Sequence, residues 1–113
     1  MGDLAVYRGD TKSYTLTFTD ADDVAVNITG YTVFFTVKIN KADADGDAVI
    51  TKTITSHTTP ISGITTVSLT SGDTAITVKD YYYDIQTKDG SGNITTVVVG
   101  TFRVLQDVTI KTT

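Results

Sequence analysis

One histidine, no cysteine, no tryptophan and 13 acidic residues, every one an aspartate, are the stock from which this 113-residue chain must draw any chemistry. His57 is the only side chain whose charge ordinarily changes near neutral pH, so it is the one candidate general base. It stands in the loop Ser56-His57-Thr58-Thr59-Pro60, with none of the glycine-flanked turn that exposes a nucleophile. We read it as a solvated loop histidine and assign no catalytic residue. Asp43, Asp45 and Asp47 offer oxygens at alternate positions, the donor set of a hard cation such as calcium. Gly46 falls at the fourth place instead of the sixth and no glutamate follows at the twelfth, which excludes an EF-hand. The run reads as a soluble turn, with a weak calcium site at Asp43, Asp45 and Asp47 as the alternative, and Asp20, Asp22 and Asp23 read the same way. No metal and no cofactor is assigned. Arg8-Gly9-Asp10 matches an integrin-binding tripeptide, and Asn27-Ile28-Thr29 and Asn93-Ile94-Thr95 match glycosylation sequons. Chance supplies such matches in a threonine-rich chain, and the first reads as a turn in which Gly9 permits the bend.

The elements that must position these residues are strands. The lack of glutamate and the abundance of threonine deplete helix formers and enrich β-branched residues. Tyr14, Leu16 and Phe18 alternate with threonines, and Tyr31, Val33, Phe35, Val37 and Ile39 share one face of a second run in which Phe34 is the misfit. Weaker alternation covers 48–55 and 64–69. Tyr81, Tyr83 and Ile85 oppose Tyr82, Asp84 and Gln86. Over 94–105, Ile94, Val98, Phe102 and Val104 take one face and Val97, Val99 and Leu105 the other. Lys88-Asp89-Gly90-Ser91-Gly92-Asn93 predicts a hairpin joining the last two strands, since Asp-Gly and Gly-Asn supply positive φ. The stretch 71–76 is the one place for a helical turn, capped by Ser71 or Asp73. About seven strands without βαβ alternation predict one all-β domain over 1–113, an antiparallel sandwich. Its expected core is Leu16, Phe18, Val33, Phe35, Val37, Val67, Leu69, Tyr83, Ile85, Phe102 and Val104.

A formal charge of −4 lacks the Lys/Arg surplus that phosphate binding needs, so no nucleic-acid partner is expected. No apolar run approaches the length of a membrane span and no basic segment precedes a long apolar one at the start, so neither a membrane partner nor a cleaved leader is expected. The opening Met1 suggests a complete small gene product. Period 2 sends Phe34 and Tyr82 outward when Phe35 and Tyr83 point in. Together with Val97 and Val99 they predict an apolar contact face, suited to a homo-oligomer or a larger assembly. The contrary reading turns these side chains toward a loop or the second layer.

Tyr7-Arg8-Gly9-Asp10-Thr11, then Asn27 through Phe35, then Tyr83-Asp84-Ile85-Gln86, Asp89-Gly90, Gly100-Thr101-Phe102-Arg103-Val104 and Asp107-Val108-Thr109 follow one another in an order that resembles a tailed-phage module. The resemblance is to the N-terminal domain of the upper baseplate protein family and to related small phage structural proteins. It implies an immunoglobulin-like β-sandwich and a non-catalytic virion component, assembled in the host cytoplasm, that docks onto other virion proteins of the tail, baseplate or neck in a symmetric oligomer. The chain departs from that family in stopping at Thr113 without a long receptor-binding extension, which favours a docking, connector or decoration role. The main alternative is a bacterial surface or carbohydrate-binding β-sandwich, in which Tyr82 would stack on a sugar.

Overall fold

The computed structural model describes residues 3–42, 46 and 48–106. Seven strands occur among them: β1 (Leu4–Tyr7), β2 (Lys12–Thr17), β3 (Thr32–Lys38), β4 (Ile50–Ile54), β5 (Ile64–Leu69), β6 (Asp80–Lys88) and β7 (Ile94–Leu105). The chain is all-β, and the only α-helical turn among the described residues is α1 (Ser71–Thr74). Five strands form one sheet in the order β1-β7-β6-β3-β4, and β2 pairs with β5 in a second. All pairings are antiparallel except one, because β1 runs parallel to β7 with Leu4 opposite Phe102 and Tyr7 opposite Leu105. The expectation of a wholly antiparallel fold is therefore corrected to a mixed sheet. A parallel pair needs a long connection between its strands, and here all the chain from β2 to β6 serves as that connection.

Burial follows the alternation. Every residue expected in the core is buried, and Leu4, Val6, Ile28, Ile50 and Tyr81 join them. Leu16, Val67 and Leu69 of the smaller sheet belong to the same cluster as Val33, Phe35, Tyr83 and Phe102 of the larger, so both sheets close on one core. Phe35 is its hub, with ring centroids 5.7 Å from Tyr83 and 6.1 Å from Phe102, the latter edge-on. Tyr81, just inside β6, is buried to the tip of its ring, and its hydroxyl donates to Thr77 O at 2.6 Å. Burial raises the pKa of that phenol.

Two loops solve the same problem with the same geometry. Asp89 Oδ1 accepts from the amides of Ser91 and Asn93, both at 2.9 Å, and Asp89 N donates to Asn93 O. Asp20 Oδ1 accepts from Asp22 N at 2.9 Å and Val24 N at 3.0 Å, and Asp20 N donates to Val24 O. The fourth residue of each loop is left-handed: Gly92 at φ 89 in the first and Asp23 at φ 61 in the second. The hairpin between β6 and β7 thus forms as its sequence predicts, with the second glycine taking the positive φ. At α1 the cap is Thr70, one residue earlier than expected. Its hydroxyl accepts from Asp73 N, and the Asp73 carboxylate accepts from Thr70 N at 2.8 Å, a reciprocal capping box. Lys52 of β4 reaches the same carboxylate at 2.7 Å. Burial alone would raise the Asp73 pKa, but hydrogen bonds from Lys52 and Thr70 outweigh it and hold the carboxyl below the usual range.

Candidate functional site

Three adjacent rungs on the exposed face of the five-stranded sheet carry most of the candidate residues. Phe34, Gln86 and Thr96 stand side by side; Thr36, Asp84 and Val99 form the next rung; Lys38, Tyr82 and Thr101 form the third. Their sequence neighbours Phe35, Tyr83 and Ile85 fill the core, so the pleat forces this set outward. Tyr82 is 42% exposed and Val99 56%. With Thr36, Lys38, Lys41, Asp84 and Thr96 they line a shallow hollow of about 270 Å³. The Lys41 ammonium sits 5.2 Å from the centre of the Tyr82 ring, a cation–π contact over one ring face. Gln86 donates to Thr96 Oγ1 at 3.2 Å and secures the rung beside Phe34.

The four residues singled out from sequence are not one patch. Tyr82 and Val99 are diagonal neighbours across β6 and β7 and share the hollow. Phe34 is half-buried and lies two rungs from Tyr82, roughly 13 Å along the strands, with Thr36 and Asp84 between. Val97 leaves the face altogether. Ile85 pairs with Val98 but Gln86 pairs with Thr96, so Val97 is the extra residue of a β-bulge. It lines a separate groove with Leu16, Phe18, Ile85 and Val98, between the two sheets. The bulge also shifts the strand's alternation, so that Ile94 stands opposite Lys88 on the outward side and not with Val98 and Phe102. No glycine or proline marks the site in the run Thr95-Thr96-Val97-Val98-Val99, and sequence alone carries no signal for it.

No family model matches the chain, and no curated protein matches it.

His57 is not the solvated histidine expected from its loop. Its Nε2 lies 2.7 Å from Tyr31 O and its Nδ1 2.9 Å from Thr65 Oγ1, in a half-buried position. A carbonyl can only accept, so Nε2–H donates to Tyr31 O, and Nδ1 shares a hydrogen bond with the Thr65 hydroxyl. The imidazole clasps the entry to β3 onto β5. Both of its nitrogens are engaged, and Thr65 is fully buried. Asp43, Asp45 and Asp47 lie outside the described residues, so the calcium alternative there has no geometry. The Asp20 carboxylate is turned to its own loop amides, and no group of three metal-ligating side chains occurs among the described residues. Arg8-Gly9-Asp10 is a turn closed by Asp10 N on Tyr7 O at 3.1 Å, with Gly9 at φ 83. Asn27 Oδ1 accepts from both the amide and the hydroxyl of Thr29, at 3.0 and 2.6 Å, a local side-chain turn. No helix among the described residues is long and apolar enough to cross a membrane.

Proposed function

We propose that this chain is a non-catalytic structural protein of a tailed-phage virion, a docking, connector or decoration module of the tail, baseplate or neck. Its fold is, on this reading, an immunoglobulin-like sandwich resembling the N-terminal domain of the upper baseplate proteins. Two features support the fold assignment: the strand order β1-β7-β6-β3-β4 against β2-β5, and the buried Tyr81 hydroxyl bonded back to Thr77 O at the start of β6. The functional reading rests on one observation, the exposure of Tyr82 on the central strand β6, with Val99 diagonally beside it on the outer face of the sheet. An exposed aromatic ring there is what the core of a protein interface encloses. Partners on this reading are other virion proteins and further copies of the chain.

The carbohydrate-binding alternative draws on the same hollow, where Tyr82, Asp84, Thr36 and Thr96 could meet sugar hydroxyls. Against it, Lys41 already covers the ring face on which a sugar would stack. Three tests separate the readings. The genes flanking this one should encode tail, neck or capsid proteins, and flanking secretion genes would overturn the virion assignment. Tyr82→Ser should weaken assembly in sedimentation velocity and leave the melting curve nearly unchanged, because the lost ring is solvent-facing in the isolated chain. A glycan array whose signal vanishes in Tyr82→Ser would instead favour the sugar reading.

A further inference from the structure

β7 is longer than the strand beside it. β1 pairs only with Phe102–Leu105, and Asp3 ends that lane by accepting the Thr101 amide on its carboxylate at 3.2 Å. From Ile94 to Val99, no described strand lies on that side of β7. The direction of the free groups follows from the ladder. Thr101 N and Leu105 O point toward the β1 side, and Val104 N points the other way to Lys79 O, so by alternation the amide and carbonyl of Val99 also face the open side. Across the gap stands β2, whose only strand partner among the described residues is β5. Two strand edges, one from each sheet, therefore border a single lane.

The floor of that lane is apolar. Leu16 and Phe18 from β2 and its continuation, Ile85 from β6 and Val97 and Val98 from β7 line a groove of about 430 Å³, with Thr15, Thr17 and Thr19 along its side. No charged side chain lines it. The bulge creates this floor by turning Val97 inward beside Val98 and leaving it 43% exposed. β1 shows what the lower half of the same lane accepts, since Leu4 and Val6, at alternate positions, are buried there against the core.

We propose that the upper half of this lane is a strand-acceptor site. It takes one extended segment of a different polypeptide, not a second copy of this chain, with β-branched or aliphatic side chains at alternate positions and no charge on the side that faces the groove. Backbone bonds to the β7 edge at Val99 supply the attachment, and an apolar side chain over Val97, Leu16 and Phe18 supplies the selectivity. The uncharged lining and the continuity with β1 define this occupant. The slot meets the Tyr82 face only at the backbone of Val99 and shares none of the side chains that line that face, so either can fail without the other.

The test uses the full chain and a short capped peptide alternating threonine and valine, with a second peptide carrying lysine in place of valine. The first peptide should protect the Val99 amide from hydrogen exchange at least tenfold and raise the melting temperature in a concentration-dependent way, and the lysine peptide should do neither. Val97→Arg places a charge at an exposed position on the groove floor; it should keep the melting temperature of the free chain and abolish the effect of the peptide. Binding that survives Val97→Arg, or no protection at millimolar peptide, overturns the proposal. Self-association of the chain alone, lost in Val97→Arg but kept in Tyr82→Ser, would put a second copy's strand in the lane and overturn the assignment to a different polypeptide.

Discussion

Gly63 to alanine is the substitution whose cost the structure defines most closely. Gly63 ends the short 3-10 turn Pro60–Ser62 in the left-handed region, at φ 73. A Cβ there would lie 2.6 Å from Phe18 O and 2.7 Å from Val26 O. Both are backbone atoms of the crossing that holds β2 against β5: Phe18 N donates to Gly63 O at 2.8 Å and Val26 N donates to Phe18 O at 3.0 Å. The left-handed backbone alone costs a non-glycine residue roughly 1–2 kcal/mol, of which roughly 0.4–1 kcal/mol returns through the stiffer unfolded chain. Relief of the clash must displace one or both hydrogen bonds, at roughly 0.5–1.5 kcal/mol each. The net expectation is a loss of about 1–4 kcal/mol, a fall in Tm of roughly 4–25 °C for a domain of this size. Gly30→Ala is the matched control, because Gly30 has φ 80 but nothing within 4 Å of the added carbon. It should cost about 1 kcal/mol or less, since only the backbone cost applies. Urea unfolding followed by far-ultraviolet circular dichroism gives both values. Equal losses in the two variants would refute the close approach of Gly63 to Phe18 and Val26.

Three further outcomes follow from side-chain geometry. His57→Ala should destabilise by roughly 1–3 kcal/mol, because it strips partners from Tyr31 O and the buried Thr65 hydroxyl; an unchanged urea midpoint would return His57 to the solvent. The folded-state pKa of Asp73 is depressed, so its stabilisation is present above the ordinary carboxylate value near ~3.9 and is lost as pH falls through the lower folded value. Asp73→Asn should flatten that part of the acid stability profile and weaken the Thr70 cap by about 1 kcal/mol, and a profile identical to wild type would exclude the Lys52–Thr70–Asp73 cluster as its source. Asp23→Gly should stabilise by up to about 1 kcal/mol, because glycine relieves the left-handed φ of 61 that Gly92 already takes in the matching loop; a lower thermal midpoint would show that the Asp23 side chain contributes a contact of its own.

The local grammar of this chain was legible to a considerable depth. β7 spans Ile94–Leu105 as its pattern requires, the Lys88–Asn93 hairpin joins it to β6, and Phe35, Tyr83 and Phe102 meet in the core because period 2 leaves them no other side. Such features depend on residues a few positions apart. β1 was not legible, since Leu4–Tyr7 is too short to show a pattern and its parallel pairing joins the two ends of the chain. The role of His57 depends on a carbonyl 26 residues away and a hydroxyl 8 residues on, and its own loop contains no trace of either. The separation of Val97, in the groove, from Val99, on the outer face, hangs on one extra residue in β7 relative to β6. Sequence by itself determined which residues are apolar, which alternate and where the chain turns, because burial and backbone preference act residue by residue. Only the tertiary structure decided which strands lie side by side and which edges stay open, because register is a property of two strands at once, and a one-residue slip in either sends every side chain beyond it to the opposite face.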